Sequence, residues 1–176
     1  MKKFIAISGS LQKESFNTRV LKLVQDLAPE GVEIHQLDIS ALPMYNQDLE
    51  AAFPQSAQLI KDAIENADGI IFATPEHNRS IPAALKNAID WASRPWGHNS
   101  FAGKKVLVMG VTSGSIGTAV AQSHLKQILL YLDAKVIGQP EIYIGNIHEK
   151  TDTMGNITDE PTKEHIKKAL HVLKDF

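Results

Sequence analysis

The chain has 176 residues, a net charge of −2 at pH 7 and no cysteine. The absence of cysteine excludes disulfide scaffolds, thiol nucleophiles and cysteine-based zinc or iron–sulfur sites. The balanced charge argues against a general nucleic-acid binder, which usually carries a strongly basic face. With 43% hydrophobic and 22% charged residues, the composition is that of an ordinary globular protein.

The length predicts one domain that spans residues 1–176. No apolar run approaches the ~20 residues that a membrane-spanning helix needs. The initial Met-Lys-Lys is followed by only five apolar or small residues before Gly9, which is too few for a signal peptide. We therefore expect a cytoplasmic protein without a membrane partner.

Strand and helix patterns alternate along the chain. The predicted strands are 4–8, 32–37, 69–74, 105–111 and a fifth region, 135–144, that Pro140 interrupts. The predicted helices are 17–28, 55–66, 82–91, 116–132 and 162–174, with Asn17 as the N-cap of the first. Several strands are apolar on both faces, which is typical of a parallel sheet with helices on both sides. The alternation therefore predicts a doubly wound α/β fold.

Three loops follow strands of this sheet, and ligands of such sheets bind at the carboxyl ends of the strands. We call residues 8–18 the first loop, residues 74–82 the second loop and residues 111–118 the third loop. The first loop, SGSLQKESFNT, offers hydroxyl, amide and backbone N–H groups where a helix begins. Such donors suit a phosphate, although a plain helix cap is the alternative. The dinucleotide fingerprint G-x-G-x-x-G and the Walker motif are both absent.

The second loop, TPEHNRSIP, places a carboxylate, an imidazole, an amide and a guanidinium between two prolines. Because the prolines stiffen it, this loop is suited to contact the edge of a flat heteroaromatic ring. The alternative is a turn into the next helix that Asn78 or Ser80 caps. The third loop, VTSGSIGT, is rich in small residues, which either let a ligand approach the backbone or form a flexible connection.

Metal and hydrolase sites are poorly supported by the sequence. The seven histidines do not follow a metal-ligand spacing, and no G-x-S-x-G motif is present. We therefore expect no metal held by the protein and no serine nucleophile.

Segment 74–95, TPEHNRSIPAALKNAIDWASRP, resembles the flavin-binding loop and helix of the NADPH-dependent FMN reductase family. The opening ISGSLQKESFN resembles that family's phosphate loop, and PMYNQDLE, residues 43–50, also fits. The resemblance extends from Phe4 to about Ile144. It implies a flavodoxin-like three-layer sandwich whose five-stranded parallel sheet has the order 2-1-3-4-5.

The resemblance also implies roles for individual residues. The FMN phosphate would be held by the first loop, the ring edge by the second loop and the far side of the ring by the third loop. The residues implied for the phosphate are Ser10, Gln12, Ser15, Asn17 and Thr18. Those implied for the ring edge are Pro75, Glu76, His77 and Asn78, and those for the far side of the ring are Ser113 and Gly114. No side chain is expected to act as a catalytic acid or base, because the flavin carries the chemistry.

Three positions depart from the pattern of the family. Gln12 stands where arginine is usual. The change removes a side chain that could bind the phosphate through two N–H groups, and Lys13 can supply only a point charge in its place. His77 replaces a usual tyrosine. Segment 113–120, SGSIGTAV, lacks the usual paired glycines and arginine, so the preference for NADH or NADPH stays open.

The implied function is transfer of electrons from NADPH or NADH through bound FMN to a small-molecule acceptor. Quinones, azo compounds, free flavin and metal oxyanions are the acceptor classes of the family, and homodimers or homotetramers are its usual assemblies. Two alternatives stay open, namely a flavodoxin-like electron carrier without enzymatic activity and a binding module that has lost flavin.

Overall fold

One parallel sheet forms the centre of the computed structural model, which describes residues 1–176. The strands are β1 (Lys2–Ser8), β2 (Val32–Leu37), β3 (Gly69–Ala73), β4 (Lys105–Val111), β5 (Lys135–Val136) and β6 (Ile142–Ile144). The helices are α1 (Phe16–Asp26), α2 (Gln55–Glu65), α3 (Ala83–Ala92), α4 (Ala119–Tyr131) and α5 (Glu160–Asp175). Short 3₁₀ helices span Gln47–Ala52 and Ile147–Glu149. The strand order β2-β1-β3-β4-β5 confirms the predicted topology.

The sheet separates two hydrophobic cores. Residues of α1 and α5, including Leu21 and Leu170, are buried against one face. Residues of α2, α3 and α4, including Ile64 and Leu125, are buried against the other face. Every residue of β3 is buried, because both its faces are covered. The arrangement confirms the three-layer sandwich.

The fifth strand region is divided, as the proline within it predicts. β5 and β6 both pair in parallel with β4, at its two ends. Pro140 lies in the gap between them, where it cannot donate to the sheet.

Four helix starts differ from the sequence prediction, and those of α1, α3 and α5 concern the caps. Ser15, not Asn17, is the N-cap of α1, since its side chain accepts a hydrogen bond from the Asn17 N–H. Neither Asn78 nor Ser80 caps α3, whose N-cap position is Pro82 without a side-chain bond. The last helix begins at Glu160 rather than at residue 162, because Asp159 caps it by accepting from the Thr162 N–H.

Helix α4 begins three residues later than predicted because of a close contact with β6. Gly117 has a φ of +64°, and a Cβ there would lie 2.7 Å from the Tyr143 carbonyl carbon. Thr118 is also left-handed, with a φ of +63°. Residues 116–118 therefore belong to the third loop, which turns under Tyr143 before the helix starts.

No helix of the protein has the length and apolarity to cross a membrane.

Tyr143 should ionise at an unusually high pH. Burial and a 2.5 Å hydrogen bond to Glu141 raise the pKa of Tyr143 to about 12. Because this value exceeds the unfolded value of about 10, the tyrosine stabilises the fold below pH 10. That contribution should disappear as the pH rises through 12. The absorbance of tyrosinate, measured as the difference between wild type and Y143F, should have a midpoint near pH 12. Circular dichroism checks that the protein is still folded at that pH. A midpoint near pH 10 would contradict the raised pKa of Tyr143.

Candidate functional site

The three loops leave neighbouring strands at the carboxyl edge of the sheet. In the strand register, Ser8 lies beside Ala73, and Ala73 lies beside Met109. The register continues one residue further, since the Gly9 N–H donates to the Ala73 carbonyl at 2.8 Å and the Thr74 N–H donates to the Met109 carbonyl at 2.9 Å. The loops therefore start side by side.

Asn17 joins the first loop to the third loop. Its Nδ2 donates to the Val111 carbonyl, and its Oδ1 accepts from the Val111 N–H, both at 3.0 Å. The side chain is buried, with 3% of its surface exposed. Both polar atoms of the side chain are thus engaged by the backbone of Val111, and the predicted role of Asn17 as an N-cap is wrong because Ser15 fills it.

Gly9 brings the first loop against the second loop. A Cβ on Gly9 would lie 3.1 Å from Leu85 Cδ2 and 3.3 Å from Pro75 Cδ. Because any side chain there would press on Pro75 and α3, glycine allows the two backbones to pack directly.

Glu76 joins the second loop to α4. Its Oε2 accepts hydrogen bonds from the N–H groups of Val120 and Ala121, both at 3.1 Å. Thr118, at the N-cap position of α4, makes no side-chain cap bond. The carboxylate of a distant loop therefore caps this helix, and its negative charge lies at the positive end of the helix dipole.

The second loop folds into a tight hairpin. The N–H and carbonyl groups of His77 and Ser80 pair with each other at 2.9 Å. Asn78 and Arg79, between them, have φ angles of +50° and +62°. Asparagine tolerates this left-handed conformation, whereas it costs most other residues about 1–2 kcal/mol. Such strain is typical of functional loops, and the N–H groups of Glu76, Asn78 and Arg79 bond no acceptor in the protein.

The first loop presents donors that the protein itself leaves free. The backbone N–H groups of Leu11, Lys13, Glu14, Phe16 and Thr18 bond no acceptor in the chain. The Thr18 hydroxyl lies 3.0 Å from the Ser8 hydroxyl, and Ser10 Oγ accepts from the Gln12 N–H at 3.3 Å. Of the residues of this loop, Ser8, Ser10, Leu11, Gln12, Lys13 and Thr18 line a cleft of about 390 Å³ that extends to Asp38 at the end of β2. Gln12 and Lys13 lie exposed at its rim.

Ser113 and Gly114 lie exposed in the third loop. The Gly114 N–H donates to Thr112 Oγ1 at 3.3 Å, and Ser113 Oγ lies 3.2 Å from Nε2 of His148. The ring of His148 also meets the edge of Phe16, with centroids 5.2 Å apart. No sequence pattern points to His148, because it follows β6 and its neighbours, Ser113 and Phe16, come from two other loops.

A second cleft, of about 300 Å³, lies between the second and third loops. Its lining residues are Glu76, Arg79, Thr112, Gly114, Ser115, Ile116 and Thr118. Glu76 and Gly114 are predicted cofactor-binding residues, whereas Arg79 is not among them and lies across this cleft from residues of the third loop. The structure thus brings all three predicted groups of residues to one edge of the sheet, with Asn17 and Ser15 buried beneath it.

Segment 43–50 docks on α3 behind the second loop. Asn87 accepts from the Tyr45 N–H at 2.7 Å, and it donates to the Pro43 carbonyl at 2.9 Å. Trp91, which is fully buried, donates to the same carbonyl at 2.8 Å. The contact explains why Asn87 and Trp91 occur within the helix that follows the second loop.

Removal of the Asn17 amide should destabilise the protein. N17A leaves the buried N–H and carbonyl of Val111 without partners, which costs about 2–4 kcal/mol. N66A is a matched control, because Asn66 bonds only the Asp62 carbonyl at an exposed helix end. The free energy of unfolding, measured by urea denaturation, should be clearly lower for N17A than for N66A. An equal decrease in the two variants would contradict the role of Asn17.

Glu76 should control the order of α4. E76A removes the acceptor for two N–H groups and should cost about 1–2 kcal/mol, whereas E76Q keeps an acceptor oxygen and should cost less. Hydrogen exchange at Val120 and Ala121 is the direct measurement. Exchange in E76A as slow as in wild type would contradict the cap.

The comparisons with known proteins agree with this geometry. The sequence pattern of NADPH-dependent FMN reductases matches residues 2–149. A 2-hydroxy-1,4-benzoquinone reductase of Burkholderia sp is 43% identical over 165 residues, covering 94% of this chain and 90% of the relative. An NAD(P)H-dependent FMN reductase of Pseudomonas aeruginosa is 40% identical over 173 residues, covering 98% of this chain and 93% of the relative.

Among solved structures, the flavoenzyme NAD(P)H:(acceptor) oxidoreductase FerB of Paracoccus denitrificans superposes with a TM-score of 0.91 and 42% identity. The superposition covers 99% of this chain and 96% of that protein. The resemblance seen in the second loop is therefore confirmed over most of the sequence, and the chain belongs to the NADPH-dependent FMN reductase family.

Proposed function

We propose that the protein is an FMN-dependent oxidoreductase that transfers electrons from NADPH or NADH to small-molecule acceptors. Quinones are the first acceptor class to test, since relatives are named 2-hydroxy-1,4-benzoquinone reductase and quinone reductase. Azo compounds, free flavin and metal oxyanions are further candidates. The observation that carries the proposal is the set of three loops fixed together at the carboxyl edge, with free N–H donors in two of them.

The first loop fits the phosphate end of FMN. Five free N–H groups, the hydroxyls of Ser10 and Thr18 and the ammonium of Lys13 are donors, and the helix dipole of α1 adds positive potential. The Gln12 amide is a further donor. Ser15 and Asn17 contribute from below, since they fix the start of α1 and its distance from β4.

The second and third loops fit the ring end. Pro75, Glu76, His77 and Asn78 form a stiff edge whose free N–H groups can donate to ring heteroatoms. Ser113 and Gly114 form the facing edge, because both are exposed and neither carries a bulky side chain. Glu76 bonds α4, so its part at the ring is to hold the hairpin in place.

Bound FMN would supply the redox chemistry, because it can take a hydride from a reduced nicotinamide and pass electrons to an acceptor. The protein residues would have only to bind and orient the cofactor and substrates, because no side chain of the site must act as an acid or base.

The assembly and location of the protein are part of the same proposal. A homodimer or homotetramer is supported by exposed apolar side chains where α3 and α4 end, namely Trp96 at 77%, Tyr131 at 75% and Leu130 at 63%. A cytoplasmic location is supported by the lack of cysteine. Light scattering on the purified protein tests the assembly.

The proposed phosphate site should make the protein bind FMN in preference to riboflavin. The protein should bind FMN at least tenfold more tightly, because charge-assisted bonds to the phosphate are absent for riboflavin. K13A should weaken FMN binding about threefold to fivefold and leave riboflavin binding unchanged. K168A, an exposed position on α5, is the matched control. Equal affinity for the two flavins, measured by fluorescence titration, would contradict the phosphate site.

The activity itself has a direct optical test. The purified protein should be yellow, NADPH should bleach it without oxygen, and a quinone should restore the colour. A yellow protein that NADPH does not bleach would instead support an electron carrier. A colourless protein that FMN leaves colourless would support a binding module without flavin.

A further inference from the structure

Arg79 is a charged side chain at the site that the proposed function leaves unused. It lies at the tip of the hairpin of the second loop, and 67% of its side chain is exposed. Its one hydrogen bond joins Nη1 to Glu76 Oε1 at 3.2 Å. A guanidinium has five N–H donors, so most of its donors face no protein acceptor.

The cleft between the second and third loops gives Arg79 a place to act. Arg79 is the only cationic side chain that lines it, and Glu76 is the only carboxylate. The other oxygen of Glu76 already accepts two N–H groups of α4. The Glu76 charge is thus shared between Arg79 and the positive end of the α4 dipole, so the carboxylate does not pair with Arg79 alone.

Other groups near the hairpin tip add no negative charge. His77 is exposed on the same hairpin, and Nδ1 of His124 on α4 lies 3.2 Å from Ser80 Oγ. Imidazoles are either neutral or cationic. The mouth of the cleft therefore favours an anionic ligand over a neutral one of the same shape.

We propose that Arg79, at the mouth of this cleft, binds an anionic oxygen group of a substrate that lies beside the proposed flavin ring. The group belongs either to the electron acceptor, as a sulfonate, carboxylate or enolate, or to a phosphate of the nicotinamide nucleotide. Glu76 holds the guanidinium near the cleft through one N–H, and the free N–H groups form a planar fork that matches two oxygens of the ligand. The inference rests on the proposed function and names a substrate-recognition residue for it.

Equilibrium binding to the oxidised protein tests the inference without turnover. The ligands are a naphthoquinone with one sulfonate group, the neutral methyl-substituted naphthoquinone and NADP⁺, each titrated by calorimetry. R79N is the informative variant, because asparagine tolerates the left-handed backbone that Arg79 adopts. It should weaken the anionic ligand about tenfold or more and the neutral quinone by a smaller factor. R79K should restore part of the affinity, and the effect should shrink at high salt.

The control removes the same charge elsewhere. K168N, on the exposed side of α5, should bind all three ligands as wild type does. Weakening of the sulfonated quinone alone assigns Arg79 to the acceptor, and weakening of NADP⁺ alone assigns it to the nucleotide. No change for either anion in R79N, or an equal change in K168N, would overturn the inference.

The FMN content of each sample is measured by absorbance before titration. If the protein binds no FMN, the proposed function is overturned. The role of Arg79 is decided separately on the same sample, by comparing the affinities for the anionic and neutral ligands. Circular dichroism and the R79K variant separate a loss of binding from a loss of folding.

Discussion

The paired hydrogen bonds between the Asn17 side chain and the Val111 backbone are the contact on which the site depends. They fix the start of α1 against the last residue of β4, so the free N–H groups of the first loop lie at a defined distance from the third loop. Because the contact is buried, water does not compete for it, and its loss leaves two unsatisfied backbone groups. The proposed phosphate site has no arginine in its loop, so it would rely on this backbone geometry.

The second loop is held by a different device. Glu76 substitutes for the missing N-cap of α4, and the same carboxylate bonds Arg79 at the hairpin tip. One side chain thus connects a strained turn, a helix dipole and an exposed cation. The strain at Arg79 is tolerated because the paired His77 and Ser80 close the hairpin. The result is a closed hairpin whose free N–H groups lie on the proposed ring edge while the guanidinium stays accessible.

The two ends of the site therefore use different electrostatics. At the first loop, positive potential comes from N–H dipoles and a helix terminus, with Lys13 at the rim. At the hairpin tip, it comes from the exposed guanidinium of Arg79, which lines the cleft between the second and third loops. In the proposed function, the first end would hold the resident cofactor and the second would contact ligands that exchange.

Local pattern was sufficient for the architecture. Apolar strands alternating with amphipathic helices predicted the layers, Pro140 predicted the divided fifth strand, and the motif of residues 74–95 identified the family. Only the tertiary structure showed that Asn17 bonds a residue 94 positions away, that Glu76 caps a helix 44 positions away and that His148 meets Ser113 across 35 positions. The delayed start of α4 likewise follows from contact with Tyr143. Periodicity and turn chemistry act over a few residues, whereas these partners are chosen by strand register and by which loops emerge at the same edge of the sheet.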